Sequence, residues 1–440
     1  NPIVVDGSAV TLGRCGGTVA LASGATQTGF GRTGTVDWDT TPKTATFSAV
    51  SGNGYFCNTT AGAFTVNLPA GSAGAIVSLA DYAATWQTNN LTVSPNGTDK
   101  IGSVNTDVSL STEGQSVTFV YVDSTQGWIN TMDSTSNVRG NEFIIATGGT
   151  IATCGDCKIH TFTGPGTFTV SAVGSCAANN LVSHMVVAGG GGGTCDVGGG
   201  GGAGGFREVK SPVTPYTASP LDGYPSAPNR VTVTATGYPV TVGAGGAAGS
   251  YPPTCQTPGC SGNTSIFSTV TSTGGGGGGG SLSSPGPAIN GGSGGGGYRG
   301  CRAGGTGNSP PVSPAQGRNG GNGGPGSGGA GGGGGAGCTG QNGSADNGGG
   351  AAGGNGVSTS ISGSSVTRAG GGGGGTRVNP PNASPGGAGG AGGGGAGSGG
   401  GPTGVDATPG TANTGGGGGG AVNAPGSGGT GGSGIVIIRY

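Results

Sequence analysis

Charged side chains are scarce in this chain of 440 residues. The sequence has 15 Lys and Arg residues and 16 Asp and Glu residues, so only 7% of it is charged, and the formal net charge is −1. A surface that follows nucleic-acid phosphates needs clustered Lys and Arg. The scarcity of charge therefore excludes nucleic acid as a main ligand.

Long apolar segments and catalytic motifs are equally scarce. No run of apolar residues is long enough for a membrane-spanning helix, so we expect no membrane insertion. The two histidines, His160 and His184, are far apart in sequence. The many matches to Gly-x-Gly-x-x-Gly lack the strand-to-helix setting of a dinucleotide site. We predict that the protein is not an enzyme and has no cofactor and no metal.

The ten cysteines are even in number and spread through predicted loops. In a chain with two histidines this favours disulfides in an oxidising exterior over a metal site. The Cys154-Gly-Asp-Cys157 segment has redox-motif spacing without a surrounding βαβ pattern, which predicts a local disulfide or pairing with Cys176 or Cys195. Cys255 and Cys260 are predicted to close a small loop. The disulfide candidates are Cys15, Cys57, Cys154, Cys157, Cys176, Cys195, Cys255, Cys260, Cys301 and Cys338.

Glycine is distributed unevenly, since 93 of the 117 glycines lie in residues 189–434. Residues 33–132 instead alternate between apolar and polar positions, which predicts a small antiparallel β-domain. We therefore divide the chain into five segments. They are a linker or intersubunit strand at 1–32, a β-sandwich-like module at 33–140, a β-segment at 141–188, a glycine-rich region at 189–434 and a closing strand at 435–440.

The glycine runs predict an ordered bundle. Contiguous runs such as 274–280 exclude a collagen triple helix, which requires glycine at every third position. The ordered alternative is the polyproline II helix, whose outward N–H and C=O groups need partners on neighbouring helices. The runs have limited lengths, turn-forming residues separate them, and the apolar segment Ile435-Val-Ile-Ile438 follows them. The predicted fold class is an all-β module followed by a glycine-rich bundle of polyproline II helices with a few β-strands and essentially no α-helix.

Two stretches resemble parts of bacteriophage tail fibres. Residues 36–130 resemble a module of tail-fibre proteins, notably those of marine phages. Residues 143–440 resemble the glycine-rich domain of tail-fibre tips and adhesins, although this sequence departs from that family in its many cysteines. The matching segments include Val36-Asp-Trp38, Ala63-Phe-Thr-Val-Asn-Leu-Pro69, Gly127-Trp-Ile-Asn130, Phe162-Thr-Gly-Pro-Gly-Thr-Phe168, Gly204-Gly-Phe206 and Gly434-Ile-Val-Ile-Ile-Arg-Tyr440.

The resemblance implies a fold, a location and partners. In that family the glycine runs form a polyproline II sandwich, and variable loops at its free end contact the host surface. The resemblance further implies an extracellular virion tail fibre, with a trimeric stem formed with other tail-fibre chains. The implied partner is a host surface receptor, either an outer-membrane protein or a glycan.

The connectors between the glycine runs carry the candidate binding residues. Aromatic and arginine side chains are enriched at interface hot spots, and arginine pairs with carboxylates or phosphates of surface glycans. The alternative for these residues is a solubilising role. The receptor-binding candidates are Tyr298, Arg299, Arg302, Arg318, Arg368, Arg377 and Asn379.

Two other functions compete with host attachment. A secreted, self-assembling filament subunit could pair Ile3-Val-Val5 or the terminal strand with a neighbouring molecule by β-strand addition. An ice-binding protein could also use a disulfide-linked polyproline II bundle. It predicts a flat face of regularly spaced Ala or Thr, which we do not find in the sequence.

Overall fold

The chain folds into two compact units, Asn1–Arg139 and Gly140–Tyr440. The computed structural model describes residues 36–134, 143–174, 176–249, 258–280, 286–345, 348–379, 382–399, 406–422 and 426–440. Regular structure within these ranges consists of β-strands and two short 3₁₀ turns, Ala177–Asn180 and Ala227–Asn229. The described residues therefore confirm an all-β protein. They include no helix long and apolar enough to cross a membrane.

The strands of the first unit form two sheets. In chain order they are β1 (Asp37–Lys43), β2 (Phe47–Ser48), β3 (Asn53–Cys57), β4 (Phe64–Asn67), β5 (Ile76–Asp81), β6 (Leu91–Ser94), β7 (Val108–Leu110), β8 (Ser116–Tyr121) and β9 (Trp128–Ser134). One sheet has the order β1-β3-β5-β8-β9 and the other β2-β4-β6-β7. From β1 to β6 the chain passes from one sheet to the other at every connection.

This alternation makes the early strands parallel, so the prediction of an antiparallel domain is wrong for them. β1 pairs with β3 and β3 with β5 in parallel, as β2 does with β4 and β4 with β6. The pairs β5/β8, β8/β9 and β6/β7 are antiparallel. Period-two patterning marks a half-buried strand of either direction and cannot distinguish the two pairings. Parallel neighbours arise here because the connection between them runs through the other sheet.

A single apolar cluster fills the first unit. Trp86, Trp128, Leu79 and Leu91 are fully buried in it, and Phe47 packs against it while remaining partly exposed. Each large apolar side chain that is removed from water contributes roughly 1.5–3 kcal/mol. The alternation of apolar and polar positions along the strands accounts for this cluster, because alternate side chains of a strand point to one face.

The second unit begins with strands and returns to them repeatedly. They are β10 (Ile145–Thr147), β11 (Thr150–Cys154), β12 (Cys157–Phe162), β13 (Gly166–Ala172), β14 (Leu181–Val187), β15 (Phe206–Val209), β16 (Val231–Thr232), β17 (Gly237–Thr241), β18 (Ser265–Phe267), β19 (Val270–Ser272), β20 (Val357–Thr359), β21 (Val366–Arg368), β22 (Val378–Asn379), β23 (Asn382–Ala383) and β24 (Ile435–Arg439). One sheet has the order β11-β12-β24-β14-β15, with β16 paired to β14, and another has the order β10-β13-β17-β18-β19.

The last strand lies inside the first of these two sheets. β24 pairs antiparallel with β12 on one side and with β14 on the other, and all five of its residues are buried. Strands that are nearly three hundred residues apart in sequence thus become neighbours. The glycine-rich chain between β14 and β24 is an excursion that leaves this sheet and comes back to it.

The glycine runs form extended segments, which we call rods. Each rod has threefold symmetry along its axis. In rod 189–194 the amides of residues 189 and 192 donate to rod 258–263, those of residues 190 and 193 donate to rod 426–434, and that of residue 191 donates to rod 198–205. The same neighbour therefore recurs every third residue, and each amide bonds outside its own rod. Three residues per turn without internal hydrogen bonds define the polyproline II helix. The predicted bundle of such helices is confirmed.

Successive rods run in opposite directions. The register of their hydrogen bonds separates outgoing rods, which leave the strands, from returning rods, which run back to them. The outgoing rods are 189–194, 243–249, 273–280, 293–298, 317–324, 339–345, 369–376, 394–399 and 415–422. The returning rods are 198–205, 258–263, 286–290, 302–308, 329–336, 348–356, 384–391, 406–411 and 426–434. We call the end that carries the strands the sheet end and the opposite end the tip.

Close approach between rods explains why they consist of glycine. A Cβ atom placed on Gly191 would lie 2.2 Å from the carbonyl oxygen of Gly276 in a neighbouring rod, and both positions are buried. No real Cβ contact is this short, so a side chain here would push two rods apart. The interior of the bundle consequently offers almost no side chains for chemistry.

Candidate functional site

The tip is built from tight turns that join an outgoing rod to the next returning rod. Among the described residues these turns are 195–197, 299–301 and 325–328. Gly300 and Cys301 have φ values of 76° and 62°, in the left-handed region that reverses the chain within a few residues. The amides of Gly300 and Cys301 both donate to the carbonyl of Gly324, at 2.7 and 3.1 Å. Adjacent turns are therefore held together by backbone hydrogen bonds.

Tyr298 is an anchor within the bundle, which corrects its prediction as a receptor contact. Its side chain is only 1% exposed, because Tyr298 is the last residue of an outgoing rod and lies between neighbouring rods. The Nε atom of Arg299 donates to its hydroxyl at 2.9 Å, and the Arg299 guanidinium lies over its ring at 5.4 Å from the centroid. Tyr298 can thus orient Arg299 but offers little surface of its own to a partner.

The other arginines of the tip reach its surface. Arg302 is exposed, and its carbonyl accepts a hydrogen bond from the amide of Gly323 at 2.9 Å. Arg377 is partly buried, and its Nη1 donates to the Oγ of Ser327 at 2.9 Å in the turn 325–328. The structure therefore brings Arg299, Arg302 and Arg377 to the same end of the second unit. Asn379 lies two residues after Arg377 and belongs to β22. The side chain of Asn379 lies outside the described part of the structure.

Two predicted binding residues lie at the opposite end. Arg318 is exposed at the start of an outgoing rod, next to the sheet end. Arg368 belongs to β21 and is only 7% exposed, and burial lowers its pKa, partly offset by the charge of Glu208. Sequence proximity to a glycine run cannot tell which end of a rod a residue occupies. Arg318 and Arg368 are thus separated from the tip arginines, and Arg368 is unavailable to a partner.

The cysteines are mostly unpaired in the described residues, which corrects the expectation of general disulfide pairing. Cys195 is disulfide-bonded, whereas Cys15 and Cys255 lie outside the described residues. The free thiols are the buried Cys57 and Cys157, the partly buried Cys154, and the exposed Cys176, Cys260, Cys301 and Cys338. Cys57 sits in the apolar core of the first unit, where burial raises its pKa to about 12. There it acts as a small apolar residue.

Cys154 and Cys157 face each other across the turn between β11 and β12 without a bond between them. The turn borders a cavity of about 680 Å³ at the sheet end, which is lined mainly by apolar side chains such as Phe143, Leu181 and Val213. Within the described residues, no three His, Cys, Asp or Glu side chains are grouped so that they could hold a metal ion. The cavity is also lined by Cys154, Asp156, Cys157 and Lys158.

The fold brings together the two histidines, which the sequence placed far apart. His160 on β12 and His184 on β14 are both paired with Ile438 of β24, so they flank the closing strand in one row of the sheet. His160 bonds to the carbonyl of Gly148 at 2.7 Å and to the hydroxyl of Tyr440 at 3.1 Å. Neither ring nitrogen of His184 has a well-formed hydrogen bond to a described residue. No local motif signals this pairing, because it depends on the return of the final strand.

The second unit is thus a glycine-rich bundle of polyproline II helices closed by β-sheets. A family model for the glycine-rich domain matches residues 161–440, and the chain belongs to this family. No curated protein matches the chain.

Proposed function

We propose that this protein is the receptor-binding component of a bacteriophage tail fibre and that the tip of its second unit attaches the virion to the host cell. It acts by binding, and its receptor is an outer-membrane protein or a glycan. In this proposal the first unit joins other tail-fibre chains in a trimeric, extracellular fibre. The resemblance of residues 36–130 and 143–440 to tail-fibre segments supports this assignment.

One structural observation carries the proposal, namely the separation of scaffold and side chains. Inner rods such as 189–194, 369–376 and 415–422 are buried along their length, whereas the described part of the tip presents Arg299, Arg302 and Arg377. The first and last described strands of the second unit, β10 and β24, both belong to the sheet end. The tip therefore lies at the end of the rods opposite these strands.

Cell binding by a variant of the tip tests the proposal. The side chains of Arg299, Cys301, Arg302 and Arg377, which lie in or beside the turns of the tip, are replaced by Ser, and the labelled protein is incubated with a panel of bacterial strains. The control carries the same replacement at three cations of the sheet end, Lys158, Lys210 and Arg318. We expect the tip variant to lose binding to strains that the wild type and the control retain. Equal binding by all three proteins, or no binding of the wild type to any strain, would count against host attachment.

The filament alternative relies on two segments that could pair with a neighbouring molecule, and one of them is already paired within its own sheet. The terminal strand β24 is paired on both sides within its own sheet, so it cannot add to a neighbouring molecule. Ile3-Val-Val5 lies outside the described residues. One observation favours this alternative, because the edge strand β11 is exposed along Thr150–Thr153 and presents Ile151 at 47% exposure. Electron microscopy of the purified protein distinguishes the two functions, since indefinite fibres are expected only of the filament.

A further inference from the structure

The arginines of the second unit differ in how far their side chains are hydrogen-bonded to the protein. Those near the sheet end that fix the fold are tied to the protein: Arg207 donates to Asn229 at 2.6 Å, Arg230 to the carbonyl of Tyr224 at 2.8 Å, and Arg439 to the carbonyl of Pro215 at 2.9 Å. At the tip, the terminal Nη atoms of Arg299 and all guanidinium nitrogens of Arg302 have no hydrogen-bond partner among the described residues. These donors are available to a ligand.

Arg299 is held in place, and its guanidinium keeps hydrogen-bond donors that are not used within the protein. Its Nε atom donates to the buried hydroxyl of Tyr298, and its guanidinium rests on the same ring. Two Nη atoms remain, in the fork geometry that suits a carboxylate or a phosphate. Because Tyr298 already restricts the side chain, binding an anion requires less loss of side-chain entropy than it would for a free arginine.

The turn also fixes the spacing of the two arginines. The amides of Gly300 and Cys301 donate to Gly324, and the carbonyl of Arg302 accepts from Gly323, so the backbone on both sides of the reversal is bonded to the neighbouring rod. Neither Arg299 nor Arg302 forms a salt bridge with an acidic residue of the described chain. Two positive charges therefore lie three residues apart on one hydrogen-bonded reversal of the chain.

We propose that Arg299 and Arg302 form a binding site for the carboxylate or phosphate groups of an acidic cell-surface glycan. The site rests on the proposed function, because it assigns a ligand chemistry to the tip. Arg299 supplies an oriented fork and Arg302 a second, more mobile cation. Tyr298 is a positioning residue for Arg299 and does not touch the ligand.

Binding to polysaccharides of defined charge tests the site. The full-length protein is passed over immobilised alginate, which carries carboxylates, over phosphomannan, which carries phosphodiesters, and over neutral mannan. The site variant is the double substitution Arg299→Gln and Arg302→Gln. The matched control is the double substitution Lys158→Gln and Arg318→Gln, which removes two exposed cations of the same unit at the sheet end. We expect the site variant to bind at least one acidic polysaccharide about tenfold more weakly, with the control unchanged.

The two acidic probes distinguish the source of the anion, since preferential binding to alginate assigns carboxylates and preferential binding to phosphomannan assigns phosphates. Tyr298→Phe removes only the hydroxyl, so we expect a few-fold weaker binding with an unchanged melting temperature. Equal losses in the site variant and in the double control would overturn the site in favour of general charge attraction. So would failure of the wild type to prefer either acidic polysaccharide over mannan. If the turn replacements at the tip still abolish cell binding in that case, host attachment stands and only the anionic site is refuted.

Discussion

His184 makes the closing strand of the second unit sensitive to acid. Its ring is fully buried in the sheet, beside Ile438 of β24 and 5.7 Å from the ring of Phe267. Burial lowers its pKa from 6.5 to about 4, with a smaller contribution from the charge of Arg207 that is opposed by the backbone of Val182. Protonation would place an unpaired charge within an apolar sheet.

The direction and size of the effect follow from these pKa values. The unfolded chain takes up the proton at a higher pH than the folded chain, so folding stability falls as the pH decreases. The contribution of neutral His184 is complete above a pH of about 6.5 and is lost as the pH falls toward 4. At about 1.4 kcal/mol per pH unit, the loss amounts to about 3 kcal/mol of unfolding free energy.

Hydrogen exchange of peptides from β14 and β24 follows this loss directly. The exchange is measured between pH 7 and pH 4 and corrected for intrinsic exchange rates. Tryptophan fluorescence is unsuitable, because Trp38, Trp86 and Trp128 all belong to the first unit. Since carboxyl groups also titrate in this range, the informative quantity is the difference between the wild type and His184→Leu. We expect the leucine variant to retain about 3 kcal/mol that the wild type loses.

Met185→Leu is the matched control, since Met185 is the next residue of β14, is equally buried and does not titrate. It should lose stability with pH as the wild type does. Identical losses in the wild type and His184→Leu would refute the assignment of the acid sensitivity to His184.

Three further predictions concern the rods and the thiols. Gly191→Ala should lower the melting temperature of the second unit strongly, at a cost of about 3 kcal/mol, whereas Gly164→Ala, which has no atom within 4 Å of the added Cβ, should leave it nearly unchanged. Thr194→Val should destabilise that unit by about 2 kcal/mol in urea unfolding, because its buried hydroxyl donates to one rod at 2.6 Å and accepts from another at 2.9 Å, while Thr194→Ser should not. A thiol reagent at pH 8 should label the exposed cysteines rapidly and Cys57 only after unfolding, and rapid labelling of Cys57, read by peptide mass spectrometry, would contradict its buried position and its pKa of about 12.

The sequence predicted the kinds of secondary structure better than the way in which the strands pair. Contiguous glycine, the turn-forming connectors and the apolar ending at Ile435 were enough to predict a bundle of polyproline II helices, because glycine backbone without internal bonds must find partners on neighbouring rods. The parallel pairing of β1 with β3 was not predictable from alternation, which is the same for both directions.

The candidate site was predictable only in part. Arg299 and Arg302 were recognised because charged side chains stand out in a glycine-rich segment. The exclusion of Arg318 required the direction of its rod, and the burial of Tyr298 required the rods around it. Both properties depend on hydrogen bonds between segments far apart in the chain, which leave no local signal. The same holds for the two histidines that meet at Ile438.

The threefold winding of the rods restricts how their lengths can vary. One residue inserted into rod 189–194 would rotate all that follow by about 120°, so that each amide would face a different neighbour from the one it now bonds. Three inserted residues restore the direction of every amide and lengthen the rod by roughly 9 Å. The turns of the tip carry no such restriction. Insertions and deletions among related domains should therefore come in multiples of three within rods and in any number at the tip.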